Sequence, residues 1–272
     1  MSEPPIEAEH SEQPAPAPAP EPKSGGGASA AVGLSVAAAA VLAKSKGALL
    51  FLKAMPLGKL LLSSGTMVLS MLAYAAQGGW KFGVGLVLLI LLHELGHGAA
   101  MKRAGVQAGW PVFIPFFGAM IAMQGRPAHP CVEADIAFAG PMAGTAASLA
   151  CAGLGLFWHD PFWIGLAYTG FFLNLFNLVP FGFLDGGRVA RVLSRKASIV
   201  GAIVLGLLFL KSPSPQLLMI AALGTMHAFR SASDPDLALV TPEQKSTWSF
   251  RYFGLCAFLG ACTLFSHQLI AR

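Results

Sequence analysis

The chain has 272 residues, 55% of them hydrophobic and 11% charged, with a mean hydropathy of +0.63. An average soluble protein carries roughly 25% charged residues, so the composition excludes an ordinary water-soluble domain. The formal charge of +5 does not mark a nucleic-acid partner, because the basic residues gather at the ends of apolar stretches instead of lining one polar face.

Residues 1–27 combine the acids Glu3, Glu7, Glu9 and Glu12 with a Pro/Ala repeat over 15–20 and three glycines at 25–27. Such a segment cannot bury enough apolar surface to fold, and it reads as a disordered tail. Acids precede any lysine, so no cleaved signal peptide is expected. Residues 28–58, Ala-rich and then Lys-punctuated, read as a helical segment at the membrane interface.

A catalytic membrane core is expected over 59–196 and C-terminal transmembrane helices over 197–272. Apolar runs close to the ~20 residues needed to span a bilayer occur at 60–76, 82–101, 134–157, 162–183 and 252–270. A further apolar block, 199–210 and 216–229, is split by Ser212-Pro213-Ser214-Pro215 and fits either two short spans or a re-entrant hairpin. The fold class is therefore an all-α polytopic membrane protein with about six to seven transmembrane helices. Between the second and third spans lies an apolar segment, Val112 to Met123, that is too short to cross and carries Pro115 and Gly118. It reads as a β-hairpin or re-entrant element, which the bilayer tolerates only where protein or a wet cavity covers the backbone. The loop 231–249 is polar and expected to be flexible. If the N-terminus is cytoplasmic, only Lys81, Lys211 and Arg272 of the 18 Lys and Arg face outward. The positive-inside rule then sets the orientation, with a plasma (inner) membrane as the expected location.

The chemistry starts at His93-Glu94-Leu95-Gly96-His97, near the inner end of the second span. Residues four apart share one helix face, so both imidazoles can bind one zinc ion while Glu94 stands beside them to take a proton from water. Polar residues at this depth are costly and mark a cavity or functional site. The competing reading is two histidines hydrogen-bonded around a protonated glutamate in a helix bundle. Catalytic zinc commonly has three protein ligands, and the best third candidate is Asp185, the acid at the end of the fourth span. His93 and His97 lie roughly 12 and 6 Å inside the boundary near Met101 by helical rise, and Asp185 stands near the same face. A turn acid beside Gly186-Gly187, or an ion pair with Arg188, is the alternative for Asp185.

The chain resembles the site-2 protease family of intramembrane metalloproteases. The resemblance is carried by His93-Glu94-Leu95-Gly96-His97, by Gly140-Pro141 with Gly144, and by Asn177 to Gly187, and it covers roughly residues 59–196. It implies zinc ligands at His93, His97 and Asp185, a catalytic Glu94, and a substrate- or oxyanion-holding Asn177. Asn174, one turn earlier, suits an interhelical hydrogen bond better. The resemblance also implies that 112–123 forms a membrane-embedded strand or hairpin able to receive substrate. The family's peptide-binding and nucleotide-binding modules have no counterpart in this sequence. Gly140, Pro141 and Gly144 read as close-packing positions, and His227 as an interhelical hydrogen-bonding residue. The expected function is zinc-dependent hydrolysis of transmembrane or membrane-anchored proteins in the lipid bilayer near the cytoplasmic side, without nucleic acid. The alternatives are a non-catalytic protein with a structural or vestigial zinc site, and a metal transporter.

Overall fold

A computed structural model describes residues 55–125, 127, 129–193, 197–214, 217–222, 224 and 235–271. From Pro56 onward they belong to one compact unit. The tail expected over 1–27, most of the interfacial segment 28–58, and His227 lie outside the described residues. Chain order is α1 (Met55–Arg103), β1 (Gln107–Ile114), β2 (Gly118–Gln124), α2 (Pro130–Trp158), α3 (Pro161–Asn177), α4 (Asp185–Leu193), α5 (Ala197–Lys211) and α6 (Pro242–Ile270), with further helical residues at 217–222.

A straight α1 of 49 residues would be about 73 Å long, more than twice a bilayer core. It does not run straight. Gly79 adopts φ 81, ψ 162, which breaks the helix, and a Cβ on Gly83 would stand 2.6 Å from the Met71 carbonyl and 2.7 Å from the Ala75 nitrogen. Residues eight and twelve apart cannot approach so closely along one helix axis. The chain therefore reverses at Gly78-Gly79 into two arms of about 36 Å each, which match the two expected runs 60–76 and 82–101. Gly79 has the conformational freedom the reversal requires.

By length and apolar composition, three described helices can cross a membrane: α1, α2 and α6. The second arm of α1 packs with α2 and α3 through small residues. Gly96 sits against Ala139 and Ala143, Gly85 against Leu166, and Gly170 against Ser148 and Leu89. In lipid, close packing of this kind replaces the hydrophobic effect as the force that joins helices. Leu86, Val87, Leu89 and Ile90 of that arm share a buried cluster with Leu166, Ala167 and Phe171 of α3 and Trp248, Tyr252, Leu255 and Leu259 of α6.

Three boundaries differ from expectation. The fourth apolar run was expected to reach Phe183, but α3 ends at Asn177, and a loop with Pro180 and a left-handed Gly182 (φ 58) leads to Asp185 at the start of the separate helix α4. Apolar composition continues where helix geometry stops. The polar loop expected to reach residue 249 ends earlier, because Thr241 and Gln244 form a reciprocal capping box and Pro242 occupies the first turn of α6. The apolar segment after the second span is an antiparallel hairpin, Gln107 to Gln124, longer than the expected 112–123.

Candidate metal centre

The site forms where the second arm of α1, the N-terminal half of α2, the last turn of α3 and the first residue of α4 converge. His93, Glu94, His97, Asn174 and Asp185 are all buried there. His93 Nε2 lies 3.1 Å from His97 Nε2 and 3.1 Å from Asp185 Oδ2, and His97 Nε2 lies 3.3 Å from the same oxygen.

The outward nitrogens decide what this triangle can hold. His93 Nδ1 donates to Asn174 Oδ1 at 2.8 Å. The amide orientation of Asn174 follows from its Nδ2, which donates to the Gly170 carbonyl at 2.7 Å. His97 Nδ1 donates to the Ile136 carbonyl at 2.8 Å. Both partners are pure acceptors, so each Nδ1 carries a proton, and each imidazole in its neutral form would offer an Nε2 lone pair to a cation. Two imidazole nitrogens and a carboxylate oxygen thus converge on one point, a donor set that could hold a cation. A tetrahedral zinc ion with bonds of about 2.0–2.1 Å needs ligand atoms about 3.3 Å apart, and the observed edges fit. The donor set, two imidazoles and one carboxylate, is also one that zinc accepts in catalytic sites.

Local sequence explains how each partner arrives. Pro141 lies inside α2 and removes the backbone rung to the Ala137 carbonyl, next to the Ile136 carbonyl that accepts from His97. Gly140 must lack a side chain, since a Cβ there would collide with the ring nitrogens of both histidines; Gly144 clears room for the Asn174 amide in the same way. These glycines were expected to serve packing alone. They also shape the metal centre. Asp185 opens α4 because Gly186 and Gly187 press directly against the backbone of Leu178, Gly182 and Phe181, where any Cβ would clash. The hydroxyl of Tyr252 in α6 donates to the Leu178 carbonyl and ties down the loop that joins Asn174 to Asp185. Arg191 of α4 pairs with Glu133 in the first turn of α2, which fixes the other end of this short helix.

His93, Glu94 and His97 form a group whose ligand atoms lie within 4.8 Å of one another, and Asp185 joins it through both histidines. Glu94 stands beside the backbone of Ile121 in β2. Asn177 is half-buried at the end of α3 and makes no side-chain hydrogen bond among the described residues; the carboxamide that touches the cluster is Asn174, in the interhelical role expected of it. The turn at His159 and Asp160 caps α2 and α3 at their far ends, away from the metal centre.

Residues 81–160 match the model described as Peptidase family M50, the site-2 protease family. This segment is similar to that of M50 peptidases. Its bounds enclose His93, Glu94, His97, Ile136, Gly140 and Gly144. The protein named zinc metalloprotease Rip3 from Mycobacterium tuberculosis is 34% identical over 132 residues, 43% of this chain and 33% of Rip3. The protein named zinc metalloprotease EGY1, chloroplastic, from Arabidopsis thaliana is 26% identical over 232 residues, 66% of this chain and 41% of EGY1. The chain thus spans about a third to two fifths of the length of these curated relatives. The matched segment carries the resemblance read from the motifs, and the relatives are named as zinc metalloproteases.

Proposed function

We propose that this chain is an intramembrane zinc metalloendopeptidase that hydrolyses peptide bonds of membrane-tethered proteins near the cytoplasmic face of the bilayer. The observation that carries the reading is the convergence of His93 Nε2, His97 Nε2 and Asp185 Oδ2 at zinc-ligand spacing with Glu94 beside them. A structural zinc site would need the ligands but no neighbouring carboxylate to move protons.

His93, His97 and Asp185 would hold the ion, which when bound supplies Lewis-acid polarisation of the scissile carbonyl and acidifies a water molecule. Glu94 accepts the proton from the attacking water as the new C–O bond forms, then gives it to the amide nitrogen as the C–N bond breaks. Asn177 is the candidate donor to the oxyanion of the tetrahedral stage, because the Asn174 amide is already committed at both ends. Burial of the cluster keeps bulk water from the acid–base pair.

A transmembrane substrate must unwind at the cleaved bond, and its freed backbone groups need partners within the bilayer. The β-hairpin beside Glu94 supplies a strand edge for that purpose. With both arms of α1, then α2, α3 and α6 crossing the bilayer, and the apolar block 199–229 returning to the side it left, the starts of α2 and α6, joined by Asp135 and Arg251, would lie with the metal centre at the positively charged, cytoplasmic side. The N-terminus would then lie in the cytoplasm and the protein in the plasma membrane.

The test compares the membrane proteome of cells that carry the wild type with that of cells carrying Glu94→Gln. Single-span proteins should accumulate in the variant while purified wild type and variant retain equal zinc. Equal processing by both would remove the protease reading, and zinc flux across vesicles without cleavage would replace it with transport.

A further inference from the structure

The two edges of the hairpin are not equivalent. In the register Phe113 faces Ala119 and Pro111 faces Ile121. The Phe113 N–H points away from β2, since it donates to Thr66 Oγ1 of the first arm of α1 at 3.2 Å. Strand alternation then turns the Pro111 position toward the same outer edge, where proline has no N–H to leave unmatched. At the tip, the Phe116 N–H donates to the Tyr74 hydroxyl at 3.1 Å, and the two rings meet edge to face at 5.7 Å. The outer edge of β1 is therefore closed at three successive points: a threonine hydroxyl, a proline and a tyrosine hydroxyl.

The contact with Tyr74 also holds a strained tip. Pro115 and Phe116 form the centre of a turn closed by the Phe117 N–H on the Ile114 carbonyl at 3.0 Å, and Phe116 sits at φ 66, a position that usually calls for glycine. A bulky residue stays in that region only when its surroundings impose it.

By the same alternation, Ala119 and Ile121 of β2 direct their backbone groups away from β1 on the opposite side. Ile121 lies there beside Glu94, and its side chain is 3.5 Å from the Cβ position of Gly98 on the second arm of α1. Phe113 and Ile121 are buried, whereas Met120 and Ile114 are exposed, so a one-residue slip of the hairpin would reverse both faces.

We propose that Thr66 and Tyr74 are positioning residues that close the outer edge of β1 and fix the hairpin's depth, which leaves the outer edge of β2 beside Glu94 as the edge that takes a substrate strand. The inference rests on the protease reading for the identity of the occupant, while the latch itself does not. Thr66 is suited to the role because its hydroxyl donates to the Leu62 carbonyl at 2.8 Å and so turns a lone pair toward Phe113. The first arm of α1, which contributes nothing to the metal centre, thereby acquires a task in substrate docking.

The experiment uses the full chain in lipid nanodiscs, loaded with zinc, in wild-type form and as Thr66→Val, Thr66→Ser and Tyr74→Phe. Hydrogen exchange of the hairpin amides reads the latch: Thr66→Val and Tyr74→Phe should speed exchange at residues 107–118 by about tenfold, with zinc content unchanged and Thr66→Ser near wild type. In a Glu94→Gln background, a photo-crosslinker at Ala119 or Met123 should capture a synthetic single-span Leu/Ala helix with a central Gly-Pro break. One at Val112 or Phe113 should capture at least severalfold less, and the Thr66→Val change should weaken the β2 crosslinks. Unchanged exchange in both latch variants, or equal capture from the two strands, would overturn the proposal. Capture confined to β2 with no cleavage of the same helix by the wild type would sustain the docking edge and count against the protease reading.

Discussion

The metal centre and the hairpin lie against the same arm of α1, yet they are held in opposite ways. In the centre, each proposed ligand is fixed from behind by a second group: Asn174 behind His93, the Ile136 carbonyl behind His97, and the glycine-packed start of α4 behind Asp185. The hairpin has two side-chain hydrogen bonds from the first arm and otherwise exposes Trp110, Ile114, Phe117 and Met120. Chemistry at an ion tolerates little displacement, because ligand geometry and carbonyl polarisation depend on tenths of an ångström. Docking of a strand depends on backbone hydrogen bonds that many sequences can make, so a lightly held edge suffices.

Substitutions can separate these regions. The largest effect is expected from Asp185→Ala, which removes the only carboxylate of the triangle: bound zinc measured after dialysis should fall from stoichiometric to trace, and proteolysis should disappear with it. Retention of tight zinc would show that the third ligand lies elsewhere. Next, Asn174→Leu keeps the volume of the side chain and removes the acceptor behind His93. Zinc affinity should drop by roughly 10- to 100-fold in competition with a chelator, as is usual when a partner behind a metal-binding histidine is lost. Wild-type affinity would mean that the interhelical bond only packs α3 against α1. The smallest effect belongs to the hairpin tip. Phe116→Gly relieves left-handed strain on the order of 1 kcal/mol and loses a ring contact of similar size, so the thermal midpoint should barely move and zinc affinity should not change. Loss of zinc in this variant would join the two regions into one cooperative unit.

Much of the centre was legible in the sequence because its spacing is local. His93 and His97 need only a helix to share a face, and the cost of polar groups in an apolar run marked the place. The capping signal at Thr241-Pro242-Glu243-Gln244 was equally local, yet the polar composition around it was read as loop. The groups behind the ligands were less accessible. Asn174 was recognisable as an interhelical donor or acceptor, but its partner was not, since His93 is 81 residues away. The Ile136 carbonyl carries no side-chain signal at all.

By itself the sequence determined helices long and apolar enough to cross a membrane, a metal-binding spacing on one helix, and the presence of a hairpin-sized apolar segment. These depend on composition and on contacts within one or two turns. Tertiary structure decided that α1 folds back at Gly79, that Asp185 opens a new helix instead of ending an old one, and that Gly140 and Gly144 make room for imidazoles and an amide. It also decided which hairpin edge faces Glu94. Each of these is a question of how backbones approach across elements distant in the chain, where the absence of one methyl group or the direction of one carbonyl settles the outcome.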